Sequence, residues 1–284
     1  MTGAEVATAA QLACLLEVSA PKPGNVCPGH DFHDTRYEDF LASAVAIGPA
    51  LSTAGERPLG TTIRSAVEAT ARWTRSNTNL GIVLLLAPLA RSARTARTGG
   101  GALRQQLSRV LAATTVADAA EAYAAIRLAR PAGLGQAAAE DVTAAPTVTL
   151  RDAMALAADR DGVAQEYATD FRLTFEVGAP ALRAARHDGL SWSDATVEGY
   201  LGLLAEHPDT HIARKLGRAE AERVSARAGE VRRAGGVRTP GGREALAALD
   251  RELRDERNSR NPGTTADLTC AALFVVILEY GWHS

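Results

Sequence analysis

Apolar residues recur along this chain at helical spacing, and no run sustains the two-residue alternation of a half-buried strand. Leu12, Leu15 and Leu16 share a face in a run over residues 5–19. Further runs cover 37–51, 61–74, 79–96, 102–113, 117–128, 150–175, 193–206, 210–233, 243–260 and 266–280. Breakers separate them. Ala20-Pro21-Lys22-Pro23-Gly24-Asn25 forbids helix through its prolines. Residues 130–146 form the longest irregular stretch, and Gly235 to Gly242 make another loop. Pro88 should kink or shorten its helix, and Gly162 weakens the middle of 150–175. Thr115 or Asp118 caps the run at 117–128. The pattern predicts an all-α fold: one domain over residues 1–284, with roughly ten to thirteen helices around buried central ones. The most apolar stretches, 80–90 and 268–278, read as core helices too short to cross a bilayer.

Three polar segments open or precede apolar helical runs. They are Ser76-Asn77-Thr78-Asn79-Leu80-Gly81, His207-Pro208-Asp209-Thr210-His211 and Asn261-Pro262-Gly263-Thr264-Thr265-Ala266-Asp267. A helix start carries unpaired N–H donors and partial positive charge, so three such starts meeting in space would make an anion site. Each also reads as ordinary capping; Thr264 with Asp267 fits a capping-box variant. Capping does not call for Pro262-Gly263, the doubled threonine, or three polar residues in a row at 77–79. Arg214 and Lys215 lie one turn beyond Asp209, facing either the same ligand or solvent. His30-Asp31-Phe32-His33-Asp34 is the densest ionisable cluster; a hard cation on Asp34 suits it better than zinc, whose ligand spacing is missing.

Composition narrows the classes. Hydrophobic residues make up 46% of the 284, much of it Ala, which suits close helix packing. Aromatics are 5% and the formal charge is −2, so neither stacking platforms nor a net basic field favour nucleic acid. Cys14, Cys27 and Cys270 match no zinc pattern and read as reduced thiols of a cytoplasmic protein. No signal peptide is apparent at the N-terminus, and no membrane partner is expected. His187, His207 and His283 read as surface residues, and Trp73, Trp192 and Trp282 as packing anchors. The Gly-rich turn at 98–101 lacks the Lys-Ser/Thr ending of a P-loop; no dinucleotide fingerprint or nucleophile elbow is present.

Taken in order, the segments resemble the triphosphoribosyl-dephospho-CoA synthase family. That family carries a Glu and then Pro-Lys-Pro-Gly, here Glu17 and Pro21-Lys22-Pro23-Gly24. A His/Asp-rich motif follows, here residues 30–34. Its Asn-Thr-His-Lys-Gly motif corresponds to Asn77-Thr78-Asn79-Leu80-Gly81, and its Asp-Thr-Asn motif with a following Arg to Asp209-Thr210-His211 with Arg214. Its final Ser-Pro-Gly-Gly-Ser-Ala-Asp-Leu corresponds to residues 261–268. Each motif alone is weak, and the ordered set is specific. The family's His-Lys is Asn79-Leu80 here, which removes a cation. An ungapped comparison puts Asp34 in place of the first motif Asp and Arg36 in place of a second. The chain more closely resembles a divergent branch sharing Pro-Gly-Asn-Val, Asn-Thr-Asn-Leu-Gly and Asn-Pro-Gly-Thr-Thr-Ala-Asp, found in organisms that make tetrahydromethanopterin.

The resemblance implies an all-α ribosyltransferase joining ATP and dephospho-CoA with release of adenine and use of Mg²⁺. It implies catalytic and metal-binding roles for Asp34, Asp209 and Asp267. It implies phosphate contacts from Lys22, Arg214 and Lys215, and sugar positioning by Asn77 and Asn79. Glu17, Asn25, Thr78, Thr210, His211, Gly263, Thr264 and Thr265 complete the expected substrate contacts. The divergent branch allows another phosphorylated ribose donor, with a ribitol hydroxyl on a pterin-cofactor precursor as acceptor. N-ribosyl hydrolysis, a non-catalytic helical binding protein, and a homodimer stay open.

Overall fold

The computed structural model describes residues 1–95, 102–131, 133, 135, 137 and 139–283. The expected Gly-rich turn at 98–101 lies outside them. Regular structure among the described residues is helical throughout, as the periodicity predicts; one isolated bridge joins Cys27 and His30. The helices are α1 (Gly3–Ser19), α2 (Tyr37–Ala46), α3 (Gly48–Ser52), α4 (Leu59–Ala71), α5 (Leu80–Thr95), α6 (Ala102–Ala112), α7 (Val116–Ala129) and α8 (Leu150–Ala155). There follow α9 (Gly162–Ala168), a π-helical turn at Thr174–Gly178, α10 (Ala179–His187), α11 (Trp192–Glu206), α12 (Thr210–Leu216), α13 (Arg218–Arg233), a 3₁₀ turn at Gly236–Arg238, α14 (Pro240–Leu253) and α15 (Gly263–Tyr280).

The axis of the fold is α15. Every residue from Leu268 to Ile277 is buried, and α1, α5, α10 and α11 pack around it. Its length and apolarity would suit a bilayer span, contrary to the sequence reading of this stretch as too short, but 67% of the helix is buried inside the fold. A satellite core of Tyr200, Leu204, Val224, Val231 and Leu253 joins α11, α13 and α14.

Several expected boundaries shift for identifiable reasons. α5 continues past Pro88 to Thr95. Proline orphans the carbonyl four residues back, and that carbonyl, Leu84 O, accepts a 2.7 Å bond from the buried Tyr167 hydroxyl. The run 210–233 divides at Gly217, whose φ of 91° is readily adopted only by glycine. Residues 37–51 divide at Gly48-Pro49, and 243–260 ends early, at Leu253. α10 was not expected: Pro180 sits in its first turn, where a missing N–H costs little. Trp192 and Trp282 stack at 5.3 Å, whereas Trp73 is 72% exposed and anchors nothing.

Candidate active site

The three polar segments meet. The starts of α5, α12 and α15 surround a pair of cavities of about 260 Å³ and about 110 Å³. Both are lined by Asn77, Leu80, Gly81, His211 and Asp267, so these five residues form a wall common to the two chambers.

Asp209 builds this junction from within. It is 1% exposed. Its Oδ1 caps α12, accepting from His211 N at 2.9 Å and Ile212 N at 3.0 Å. Its Oδ2 accepts from Thr265 N at 2.7 Å and Thr265 Oγ1 at 2.8 Å, in the first turn of α15. Burial pushes its pKa up, and these hydrogen bonds from Thr265, Ile212 and His211 pull it down. Thr210 and Thr264 join hydroxyls at 3.0 Å, and Thr210 Oγ1 also accepts from Gly162 N at 3.0 Å, which brings in the start of α9.

Asp267 differs. The capping reading of Thr264 and Asp267 does not hold: α15 starts at Gly263 after Pro262 with no side-chain cap. Among the described residues the Asp267 carboxylate has no hydrogen-bond or ion-pair partner. It lies against Gly81, where an added Cβ would fall 2.0 Å from Asp267 Oδ2. Burial, then the negative charges of Glu17, Asp209 and Asp161, hold its pKa well above the usual carboxylate range, with Arg214 opposing. An unpaired carboxyl set among other carboxylates, at the wall of two cavities, is a site for a cation, a proton or developing positive charge.

His211 faces the same junction. Its Nε2 is buried without a partner, and Gly263 leaves room for its Nδ1, 2.5 Å from where a Cβ would stand. Burial, with Lys215 and Arg214 nearby, lowers its pKa to about 3, so the ring is neutral at physiological pH. Arg214 lines the larger chamber and pairs with Asp161, which caps α9 through Val163 N at 2.9 Å and Ala164 N at 3.0 Å.

The other expected site residues divide. Glu17, Asn25, Thr78, Asn79 and Gly263 line the smaller chamber, and Thr264 the larger. Thr265 and Thr210 are buried supports bonded as above. Lys22 does not reach a ligand. It is fully buried, pairs with Glu17 Oε1 at 3.0 Å, and donates to the carbonyls of Glu17 and Ala20, so its ammonium donors are occupied. Lys215 is exposed, 3.4 Å from Asn258 O, and lines neither chamber. Asp34 lines neither chamber; its side chain is 62% exposed beside His33. The expected ligand set of Asp34, Asp209 and Asp267 therefore does not assemble: the first is exposed and the second saturated by protein donors. No group of three His, Cys, Asp or Glu side chains gathers around a metal position among the described residues. Asp267 could hold a magnesium ion together with substrate phosphates, since Mg²⁺ needs only one or two carboxylates when phosphates supply the rest.

Two contributors escaped the sequence reading. Arg160 and Asp161 line the larger chamber because the chain breaks between α8 and α9. Asp161-Gly162 ahead of Val163-Ala164 is a capping pattern, and it was hidden inside a helix-compatible run. His207 is not a surface residue either; its Nε2 is buried without a partner, near Gly162.

With this geometry in place, the chain can be compared with known proteins. The profile of the CitG family, described as ATP:dephospho-CoA triphosphoribosyl transferase, matches residues 3–284, so the chain belongs to that family. A Stutzerimonas stutzeri (strain A1501) protein named as a probable 2-(5''-triphosphoribosyl)-3'-dephosphocoenzyme-A synthase is 32% identical over 114 residues. That match spans 40% of this chain and 39% of the relative. The crystal structure of an Archaeoglobus fulgidus protein, assigned as a triphosphoribosyl-dephospho-CoA synthase, superposes with a TM-score of 0.64 at 26% identity, over 85% of this chain and 100% of that one.

Proposed function

We propose that the chain transfers a triphosphoribosyl group from ATP to a hydroxyl of 3'-dephospho-CoA, releasing adenine, with Mg²⁺ as cofactor. The observation that carries this reading is the wall common to two chambers. A two-substrate transfer needs donor and acceptor held on opposite sides of one reacting carbon, and Asp267 and His211 stand where they would meet.

Arg160 and Arg214, both on the larger chamber, suit the phosphates of the donor. The acceptor oxygen attacks the anomeric carbon as the bond to adenine breaks. The electron pair leaves with the base, which takes up a proton, and the hydroxyl proton goes to a base at the junction. The sugar carries oxocarbenium-like positive charge meanwhile, and the Asp267 carboxyl, without competing donors, is placed to stabilise it. The neutral His211 ring can accept a hydrogen bond at the same wall. Magnesium, when bound by Asp267 and the phosphates, would neutralise charge on the triphosphate that is transferred with the ribose.

One observation favours a second reading with the same chemistry. Leu80 lines both chambers where the family motif has lysine, and Arg160 and Arg214 are the only lysine or arginine residues on the two linings among the described residues. A donor with fewer phosphates at that point, such as phosphoribosyl diphosphate, and a pterin-precursor acceptor, suit such a wall. Incubation with ATP, Mg²⁺ and dephospho-CoA tests the first reading: adenine should appear in step with the ribosylated acceptor. Turnover only with phosphoribosyl diphosphate would select the second. Adenine formed without acceptor would indicate hydrolysis.

A further inference from the structure

The smaller chamber has a chemical bias that the larger lacks. Among the described residues no lysine or arginine lines it. Two of its amides commit N–H groups to the protein. Asn25 Nδ2 donates to Pro23 O at 3.2 Å and to the Tyr200 hydroxyl at 2.9 Å. Asn79 Nδ2 donates to Thr70 Oγ1 at 3.1 Å. The amide oxygens of both have no partner among the described residues, and one N–H of Asn79 and the amide N–H groups of Asn77, whose oxygen accepts from Leu80 N, are likewise uncommitted. Asn261 Oδ1 is buried and likewise unpartnered. Glu17 gives Oε1 to Lys22 and keeps its second oxygen. Asp267, on the wall common to both chambers, has no hydrogen-bond partner among the described residues. The chamber thus offers two carboxylates and uncommitted amide groups with no lysine or arginine among the described residues, so an anion entering it would meet Glu17 and Asp267 without a compensating cation.

We propose that the smaller chamber is the seat of an uncharged ribose-type diol, bound through its hydroxyl hydrogens, and that phosphate is confined to the larger chamber. Resting on the transfer reading, this sugar is the one that bears the acceptor hydroxyl. Its hydroxyls reach the common wall, where His211 Nε2 stands unpaired. A buried acceptor left unmet penalises any occupant lacking a matching donor, so the chamber selects for hydroxyls.

The test is titration of the ¹⁵N-labelled full chain with two probes, methyl ribofuranoside and inorganic tripolyphosphate. The sugar should shift the amides of Asn79 and Ala266, which line only the smaller chamber, and tripolyphosphate those of Arg160 and Ala164, which line only the larger. Asn79→Leu should weaken the sugar by about tenfold or more and leave tripolyphosphate unchanged. Ala266→Leu, which fills the chamber without removing the Thr70 contact, should do the same. Tripolyphosphate acting on Asn79 and Ala266, Mg²⁺ alone acting there while the sugar does not, or a sugar response indifferent to both variants would overturn the assignment. These readouts need no turnover. Absent adenine release with the sugar response intact would reject the transfer reading alone; turnover without that response would reject the chamber assignment alone.

Discussion

Asp209 Oδ2 accepts both the backbone N–H and the hydroxyl of Thr265, at 2.7 and 2.8 Å, while the same carboxylate caps α12 with its other oxygen. One fully buried side chain therefore fixes the relative placement of two helix starts, and through them His211 and Asp267. Asp209→Ala should cost about 3–5 kcal/mol, the scale of breaking a buried charge network from one side. Chemical denaturation checks this; a loss below about 1 kcal/mol would mean that the two helix starts hold their positions without it.

Glu17 and Lys22 form a second buried device, and the family-like Pro-Lys-Pro-Gly segment owes its lysine to it. Lys22→Met should destabilise by about 3–5 kcal/mol, because Glu17 is left buried and unpaired. The salt dependence of phosphate-ligand binding should stay as in the parent protein. A flattened salt dependence with unchanged stability would restore Lys22 as a ligand contact.

Gly81 and Asp267 are coupled by contact. Gly81→Ala places a methyl group 2.0 Å from Asp267 Oδ2, so the carboxyl must move. The expected cost is about 1–3 kcal/mol, although alanine is the better helix former. In an Asp267→Ala background the same change should cost little, giving a strongly non-additive cycle. Additive effects would show that the two do not touch.

His211 makes stability pH-dependent in a defined sense. Its folded pKa is lowered from 6.5 to about 3, so the unfolded chain binds the proton first. The contribution of the neutral ring is present above pH 6.5 and is lost progressively as pH falls toward about 3. The stability difference between the parent protein and His211→Asn should shift in favour of the variant as pH falls from 7 to 4, as urea denaturation at each pH would show. A difference that is flat with pH would mean that the ring is solvated and titrates as usual.

Much of the fold was legible in the sequence because periodicity, proline and glycine act locally. The boundaries that moved depend on distant partners: only the Tyr167 hydroxyl on Leu84 O explains how α5 runs past Pro88. The polar helix starts were legible as an excess over capping, and their meeting around two chambers follows the motifs. Individual roles were not legible. Asp209 and Asp267 each stand near a threonine-rich helix start, yet one is saturated by donors and the other has none. Lys22 looked like a phosphate contact until its distance to Glu17 was known. Asp161 stayed hidden because a helix break at 156–161 depends on packing rather than on a proline.

The central claim is that Asp267 serves the chemistry and leaves the fold alone. Asp267→Asn, assayed with ATP, Mg²⁺ and dephospho-CoA for adenine and ribosylated product, should lose turnover by about 10²-fold or more. Its thermal midpoint should match or exceed that of the parent protein, since a partly buried carboxyl with no partner among the described residues is removed. A variant that turns over at the parental rate, or that fails to fold, would contradict the account.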